Sequence, residues 1–369
     1  MQKKLIALAI AGFAAAPAFA QSNVTIYGVA DATFDVVKSS NSAANVSFNR
    51  VSSNSSLIGF KGAEDLGNGL KAVFQFESGV GLDSQAGLAT NRDSYVGLAG
   101  GFGTVIAGNL TGPTRLVGAS VDVNTGSTGI GANSGLLGKL GNALTARVDS
   151  ASATGLAATP ANRSATQTGA FDTRFNNAVA YVSPNFSGFT FIGGYVANEN
   201  KVNNGINSSA YDLGVTYANG PLWAALTHAE YDVKNAGGLK PKNTRAAVKY
   251  DFGMADVRVI WDETKNQGTK QNVWGLGSRI KAGANGAALV QYYKANDLKG
   301  TGGVANSGAN LFEVGYEHSL SKRTILKAAY ARIDNKAAGT YDFGLNATGL
   351  VTAGGTDVSG IQVGLRHSF

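Results

Sequence analysis

The sequence contains no cysteine and only six prolines among its 369 residues. Without cysteine, neither a disulfide framework nor a thiolate metal site can form. After the first twenty residues, no stretch reaches the roughly 18 uninterrupted apolar residues that a transmembrane helix requires. The 50 glycines also disfavour long helices, because a glycine costs roughly 1 kcal/mol at a helical site relative to alanine. The chain must therefore obtain its rigidity from hydrogen bonding in extended segments.

Residues 1–20 have the features of a secretory signal peptide. Two lysines precede an apolar run from Leu5 to Ala16, and Ala18-Phe19-Ala20 forms an A-x-A cleavage site. We expect the mature chain to comprise residues 21–369. Removing two lysines from 31 basic residues leaves 29 against 24 acidic ones, a net charge of about +5. This mild excess lacks a basic cluster, so it disfavours a nucleic-acid partner.

The last ten residues alternate between two faces of an extended chain. The first mature segment, Val24 to Asp35, alternates in the same way. A final strand leaves an uncovered edge unless it pairs with another strand, and closure onto the first strand would remove that edge. We therefore expect both ends of the chain to be neighbours in one closed barrel. One face of the terminal segment carries Ile361, Val363, Leu365, His367 and Phe369, and the other carries Gln362, Gly364, Arg366 and Ser368.

The same alternation recurs along the chain, with short turns at one end of the strands and longer, polar, glycine-rich connections at the other. Because apolar and polar residues alternate, the mean hydropathy of each strand is close to neutral. Short turns at one end and long loops at the other are typical of outer-membrane barrels. Counting the segments predicts sixteen strands, which would enclose an aqueous channel rather than a filled core. The predicted fold class is an all-β transmembrane antiparallel barrel.

One connection, residues 111–173, is far longer than the others. It is rich in Gly, Ala, Ser, Thr and Asn. A structureless loop of this length is uncommon in a compact domain and indicates either disorder or a functional insertion. Because a wide barrel has unfilled space within it, we expect at least the first half of this third loop to fold into the lumen.

Several motifs resemble the trimeric general porins of Gram-negative outer membranes, in the branch typical of β-proteobacteria. The resemblance implies a homotrimer in the cell outer membrane, in contact with its lipid and lipopolysaccharide. It also implies passive diffusion of ions and small hydrophilic solutes, a constriction made by the third loop, and a C-terminal Phe369 read by the outer-membrane insertion machinery. The matching stretches are Val24–Asp31, Gly59–Ala72, Tyr95–Leu98, Ser183–Phe189, Gly315–Thr324 and Gly364–Phe369.

The resemblance further implies a constriction in which basic side chains on the wall face acidic groups on the inward loop. The matching wall positions are Arg92 and Arg174, and the acidic counterpart on the loop is Asp122. Lys61 and Lys71 are further candidates for fixed charges in the throat. For each of these residues, the alternative is an ordinary solvated charge on the lumen wall.

Two departures from the family pattern bear on ion selectivity. Leu57 and Asn109 stand at positions where many members carry arginine. The predicted function is therefore a general porin with a weak preference for anions. Two alternatives remain open: a barrel that acts mainly as an adhesin, and a porin that prefers small organic anions. The latter would use a lumen-facing track of Arg245, Lys249, Arg279 and Arg366.

An enzymatic function is not expected. Hydrolysis on the barrel wall would need a serine and a histidine within hydrogen-bond reach, but Ser319 points to the opposite face from His318. The sequence has only three histidines and lacks a calcium loop, a histidine metal pair and a P-loop. We therefore expect no cofactor and no metal site of these types, and a calcium ion held in the loops by Asp or Glu pairs remains an open alternative.

Overall fold

The computed structural model describes residues 23–41, 45–84, 88, 91–140, 171–197, 207–234, 240–344, 347–351 and 353–369. The predicted leader and the second half of the predicted inward loop lie outside the described residues. No helix among the described residues is long and apolar enough to cross a membrane. The strands are β1 (Asn23–Ser40), β2 (Ser47–Ser53), β3 (Leu57–Gly67), β4 (Leu70–Gly79), β5 (Ser94–Gly100), β6 (Gly103–Thr111), β7 (Arg174–Val182), β8 (Phe189–Val196), β9 (Asn207–Asn219), β10 (Leu222–Lys234), β11 (Lys242–Asp251), β12 (Asp256–Asn266), β13 (Thr269–Lys281), β14 (Gly286–Ala295), β15 (Lys299–Gly300), β16 (Ala309–Ser319), β17 (Thr324–Asn335) and β18 (Asp357–Ser368). One α-helix, α1 (Pro113–Val121), and one short 3-10 helix (Asn133–Gly135) lie between β6 and β7.

The strands form one closed antiparallel sheet. β18 pairs with β1 from Val29↔Ser368 to Ser40↔Asp357, so the last strand closes on the first, as the alternation predicts. β2 and β3 pair with different parts of β1 and together occupy one position in the wall. β15 has only two residues and pairs with the beginning of β13. The described wall therefore has sixteen positions, which confirms the predicted sixteen-stranded all-β barrel.

Successive side chains alternate between an exposed apolar face and a buried polar face. In β18, Ile361 and Val363 are 55% and 57% exposed, whereas Gln362 between them is 1% exposed. In β1, Phe34 is exposed and Asp35 is buried. Because a closed sheet has one outer and one inner face, the apolar set faces outward and the polar set faces inward.

The short turns that the sequence predicts lie at one end of the barrel, and one further two-residue turn, Gln267-Gly268, joins β12 to β13 at the other end. Gly101-Phe102 joins β5 to β6, and Gly253-Met254 lies between β11 and β12. Asn68 and Gly69, between β3 and β4, have φ values of 52° and 77°. Asparagine and glycine tolerate this left-handed conformation, which is typical of a two-residue hairpin turn. These two residues are therefore enough to join β3 to β4 as a hairpin.

The chain between β6 and β7 lies against the inner polar face of the wall as far as residue 140. Val117 and Val121 of α1 belong to an apolar cluster that includes the wall residue Ile260. Tyr341 and Phe343, from the connection between β17 and β18, belong to the same cluster and are buried. Two connections thus share one apolar core on the inner side of the barrel, and this core positions the site described below.

Candidate functional site

α1 begins against the inner face of β9. Pro113 occupies the first turn, where its missing N–H is not needed. The N-cap residue Gly112 has no side chain to accept a hydrogen bond, and the wall supplies the acceptor instead. The Thr114 backbone N–H donates to Asp212 Oδ2 at 3.0 Å, and its hydroxyl donates to Asp212 Oδ1 at 2.7 Å. Asp212 thus acts as an N-cap provided by another part of the chain, with its carboxyl group at the positive end of the helix.

The other end of α1 faces three cationic side chains from adjacent strands. Lys249 Nζ donates to the Ser120 carbonyl at 3.5 Å. Arg258 donates to the carbonyl of Asp122, and Arg279 donates to the carbonyl of Val123. Carbonyls at the end of a helix lack partners within the helix and carry its partial negative charge. The wall therefore complements the helix dipole at both ends, which fixes the direction of α1 across the barrel.

Arg245 on β11 joins the two ends of this loop to the wall. Its guanidinium is 0% exposed and donates to Asp262 at 2.8 Å, to Asp172 at 3.0 Å and to the Thr114 carbonyl at 2.7 Å. Asp172 lies just before β7, at the far end of the loop. A buried guanidinium that is shared by two carboxylates is not available to a passing solute. Arg245 is a structural anchor in this arrangement.

We expect the replacement of Asp212 by alanine to loosen the beginning of α1. Loss of an N-cap costs about 0.5–2 kcal/mol, and here the lost acceptor also ties the helix to the wall. Single-channel recordings should show larger current fluctuations in Asp212→Ala than in the unsubstituted protein. Asp212→Asn keeps one acceptor oxygen and should be intermediate. Equally quiet currents in all three proteins would contradict this role of Asp212.

The predicted wall residues Arg92 and Arg174 lie close to each other, and α1 adds a third arginine beside them. Arg92 Nε lies 3.2 Å from Glu77 Oε2, and Arg174 Nε lies 2.9 Å from Asp93 Oδ1. Arg115, in the first turn of α1, donates to the Asp172 carbonyl at 2.9 Å. We call Arg92, Arg115 and Arg174 the basic cluster.

The three guanidinium groups are near enough to perturb one another. Burial, followed by the Arg174 charge, lowers the pKa of Arg92 below its usual value. The same two causes lower the pKa of Arg115 to about 10, which still leaves it charged at neutral pH. Glu77 and Asp93 each pair with one member of the basic cluster, whereas Arg115 donates to a backbone carbonyl. Of the three positive charges, two are therefore balanced by paired carboxylates.

Asp122, the predicted acidic counterpart, does not face the basic cluster. Its side chain is 2% exposed and accepts hydrogen bonds from the backbone N–H groups of Asn124 and Asn133, at 2.9 and 2.8 Å. Ser127 Oγ donates to Asp122 Oδ2, the oxygen that also accepts from Asn133, at 3.1 Å. Burial raises the pKa of Asp122. These contacts hold the turn after α1 together.

The predicted lysines lie on the inner face nearer the short turns. Lys61 Nζ lies 5.0 Å from the centre of the Tyr27 ring, within cation–π range. The Tyr27 hydroxyl donates to Glu77 Oε1 at 2.8 Å, and Glu77 pairs with Arg92. Lys61 is therefore connected to the basic cluster through Tyr27 and Glu77. Lys71 is opposite Asp65, closer to the turn between β3 and β4. Their contribution to a constriction stays a prediction.

Sequence reasoning missed Arg115 as a site residue. The stretch Gly112-Pro113 is a typical helix start, and it could have indicated that Arg115 lies in a first turn. Nothing in the sequence relates that turn to Arg92, 23 positions earlier, or to Arg174, which follows the loop. All four residues of the predicted organic-anion track make contacts with other parts of the protein. The contacts of Arg245, Lys249 and Arg279 are described above, and Arg366 pairs with Asp31 at 3.0 Å.

Phe369 completes the closure of the barrel. Its backbone N–H and carbonyl both pair with Gly28, each at 3.1 Å. A Cβ atom at position 28 would lie 2.3 Å from the Phe369 ring, so only glycine leaves room for it. The side chain is 50% exposed on the outer face. Recognition of Phe369 by the insertion machinery stays a prediction.

Comparison with known proteins agrees with this architecture. The model of the Gram-negative porin family matches residues 7–338. The chain is 34% identical to outer membrane porin protein 32 of Delftia acidovorans and 30% identical to the major outer membrane protein P.IB of Neisseria lactamica, in both cases over the full length of each protein. It also superposes on the anion-selective porin of Comamonas acidovorans with a TM-score of 0.76 at 30% identity, covering 95% of this chain and all of that one. This chain belongs to the Gram-negative porin family and forms a diffusion channel in the outer membrane.

Proposed function

We propose that the basic cluster and α1 bound the narrowest part of the channel, and that this constriction weakly favours anions. The observation that carries the proposal is the position of Arg115: the inward helix places a third arginine beside Arg92 and Arg174. The third loop, residues 111–173, supplies this helix. The solutes are small ions and hydrophilic molecules that diffuse passively through a water-filled throat.

The proposed preference is weak for an electrostatic reason. Glu77 and Asp93 offset two of the three arginine charges. The Asp172 carboxylate, whose charge raises the pKa of Arg115 against the effect of burial, offsets part of the third, so the excess next to the solute path is less than one full positive charge. Two unit charges at 4 Å interact by about 1 kcal/mol in water and by more beside a low-dielectric wall. An excess of this size biases which ions enter and does not trap them, as fast conduction requires. The anion selectivity of the Comamonas acidovorans porin is consistent with the proposed sign.

Arg115 provides the test that is most specific to this proposal. Replacement by glutamine removes the one arginine charge of the basic cluster that no paired carboxylate offsets. We expect the reversal potential in a salt gradient across a planar bilayer to move to near zero, while the channel remains open. Arg323→Gln, in an exposed turn between β16 and β17, is the matched control and should leave the reversal potential unchanged. Equal values for Arg115→Gln and the unsubstituted protein would exclude Arg115 from the constriction.

A preference for small organic anions is the second candidate. Guanidinium groups bind carboxylates through paired hydrogen bonds, and three guanidinium groups stand together here. Liposome swelling with neutral sugars and monocarboxylates of matched size would separate the two candidates. A general channel should admit both kinds of solute at rates set by size, whereas an organic-anion channel should admit the acids faster.

The assembly and the export of the chain belong to the same proposal. One structural neighbour of low identity, the OmpT protein of Vibrio cholerae, is described in a trimer form. We infer that this chain forms a homotrimer, that residues 1–20 are removed on export, and that Phe369 is recognised during insertion. Analytical ultracentrifugation in detergent and N-terminal sequencing of the mature protein test the first two points.

A further inference from the structure

Four lysines stand side by side at one level of the barrel wall. Lys242 of β11 is directly opposite Lys265 of β12, and Lys265 is directly opposite Lys270 of β13. Lys270 is in turn opposite Lys299 of β15. Residues that are directly opposite in antiparallel strands point to the same face, and like charges in such pairs are destabilising. We call these four residues the lysine row.

The lysine row lies on the outer face of the barrel. In β13, Lys270 shares its face with Trp274 and Leu276, which are exposed, while Gln271 and Val273 between them are buried. In β11, Lys242 shares its face with Val248, which is exposed, while Arg245 faces inward. The row is therefore on the side of the wall that meets the membrane and not on the solute path.

Only part of the charge of the lysine row is balanced by the protein. Lys242 Nζ pairs with Glu230 at 2.8 Å, and Lys265 Nζ pairs with Glu263 at 2.5 Å. Among the described residues, no carboxylate lies within ion-pair distance of Lys270 or Lys299. Lys270 and Lys299, which lie directly opposite each other, therefore carry two unbalanced positive charges, and an external anion would relieve their repulsion.

The height of the lysine row on the wall indicates what kind of anion would reach it. The row lies at the end of the barrel that carries the long connections, which in outer-membrane barrels is the external end. Trp261 and Trp274 each lie four residues nearer the middle of the wall, a distance of about 13 Å along a strand. Tryptophans on the outer face mark the boundary of the apolar membrane layer. The row is therefore placed at the level of lipid headgroups.

An apolar groove lies on the outer face of β8 to β12, below the end of the lysine row that carries Lys242 and Lys265. It has a volume of about 390 Å³. Ala224 lies opposite Tyr217 and Ala246 lies opposite Trp261, so two small outward-facing side chains form its floor between two bulkier ones. Leu226 and Val248 line the same surface. An apolar depression in a wall surrounded by lipid suits a hydrocarbon chain.

We propose that this part of the outer wall is a binding site for a phosphorylated glycolipid of the outer leaflet. Its phosphate groups contact the lysine row, and one of its acyl chains lies in the groove below. The complementary charge of the phosphates and the unbalanced charge of Lys270 and Lys299 argue for this occupant. A second copy of the chain at the same surface would instead bring a further set of lysines close to this one.

The test uses the full mature protein, purified in detergent and freed of lipid, and a hexa-acylated bisphosphorylated lipid A as the probe. Native mass spectrometry measures the affinity of the complex. The variant carries Lys270→Gln and Lys299→Gln, and the matched control carries Lys281→Gln and Lys322→Gln, which remove two exposed lysines at the short-turn end. Each lysine near an anionic lipid surface contributes about 1 kcal/mol, so the variant should bind about 30-fold more weakly. The control should bind like the unsubstituted protein, and equal affinities for all three proteins would overturn the proposal.

A second variant and two further probes separate the parts of the site. Ala246→Phe fills the groove and leaves the lysine row intact, so it should weaken lipid A binding as well. Dephosphorylated lipid A should bind weakly to every protein.

Displacement of lipid A by millimolar inorganic phosphate would show a simple anion site and overturn the lipid assignment. Cross-linking that places Lys270 at a contact between subunits would overturn it in favour of a second copy. Bilayer conductance should be the same in all the variants, so these results do not depend on the proposed constriction.

Discussion

Replacing Arg92 by glutamate is expected to convert the channel from a weak preference for anions to a preference for cations. The substitution changes the charge of the basic cluster by two units and leaves Glu77 without its partner. With about 1 kcal/mol for each unit charge near the solute path, the ratio of anion to cation permeability should fall by roughly tenfold or more. The measurement is the reversal potential in a salt gradient across a planar bilayer.

Two controls make the result for Arg92 specific. Arg92→Gln changes the charge by one unit and should shift the reversal potential by about half as much. Arg323→Glu makes the same two-unit change at an exposed turn and should have little effect at 0.1 M salt, where charges more than about 10 Å apart are screened. Selectivity that is unaltered in Arg92→Glu would place Arg92 away from the constriction.

Replacing Arg245 by methionine is expected to release the inward loop and to lower stability. The guanidinium joins Asp262, Asp172 and the carbonyl of Thr114, so its loss leaves two buried carboxylates without a cation. Removal of one partner from a buried ion pair costs about 3–5 kcal/mol. Thermal unfolding followed by circular dichroism should show the loss. Single-channel conductance should rise, because α1 is no longer held against the wall.

A triple variant separates the two effects of Arg245. Asp172→Asn and Asp262→Asn, added to Arg245→Met, remove the unpaired charges and should recover much of the stability. The conductance should stay high, because the anchor of α1 is still missing. Recovery of both quantities would mean that the charges, and not the anchor, position the loop.

The barrel could be predicted in some detail because its determinants are local. Alternation along Val24–Asp35 and Ile361–Phe369 specifies which side chains face lipid, since a strand places successive residues on opposite faces. An asparagine and a glycine at 68–69 specify a tight turn without reference to any other strand. Closure of β18 on β1 also follows locally, because an uncovered edge is unfavourable in lipid.

The roles of the charged residues on the inner face could not be predicted from local sequence. Arg245 and Arg92 are both arginines that face inward, yet the first is completely buried between two carboxylates and the second lines the basic cluster. Asp122 matches the family position for an acidic group at the constriction, but its oxygens bond to its own loop. The partners that fix Arg245 lie up to 131 positions away, and no local pattern relates them to it.

The sequence by itself determined that this chain forms a closed barrel with an apolar outside, a polar inside and one long connection. Those properties depend on the two-residue repeat of a strand and on the cost of unpaired backbone groups in lipid. Only the tertiary structure decided that α1 brings Arg115 beside Arg92 and Arg174, and that four lysines from four strands stand in one row. These properties depend on the register between strands and on the anchoring of a loop to a distant wall, and such distances are set by the closed sheet as a whole.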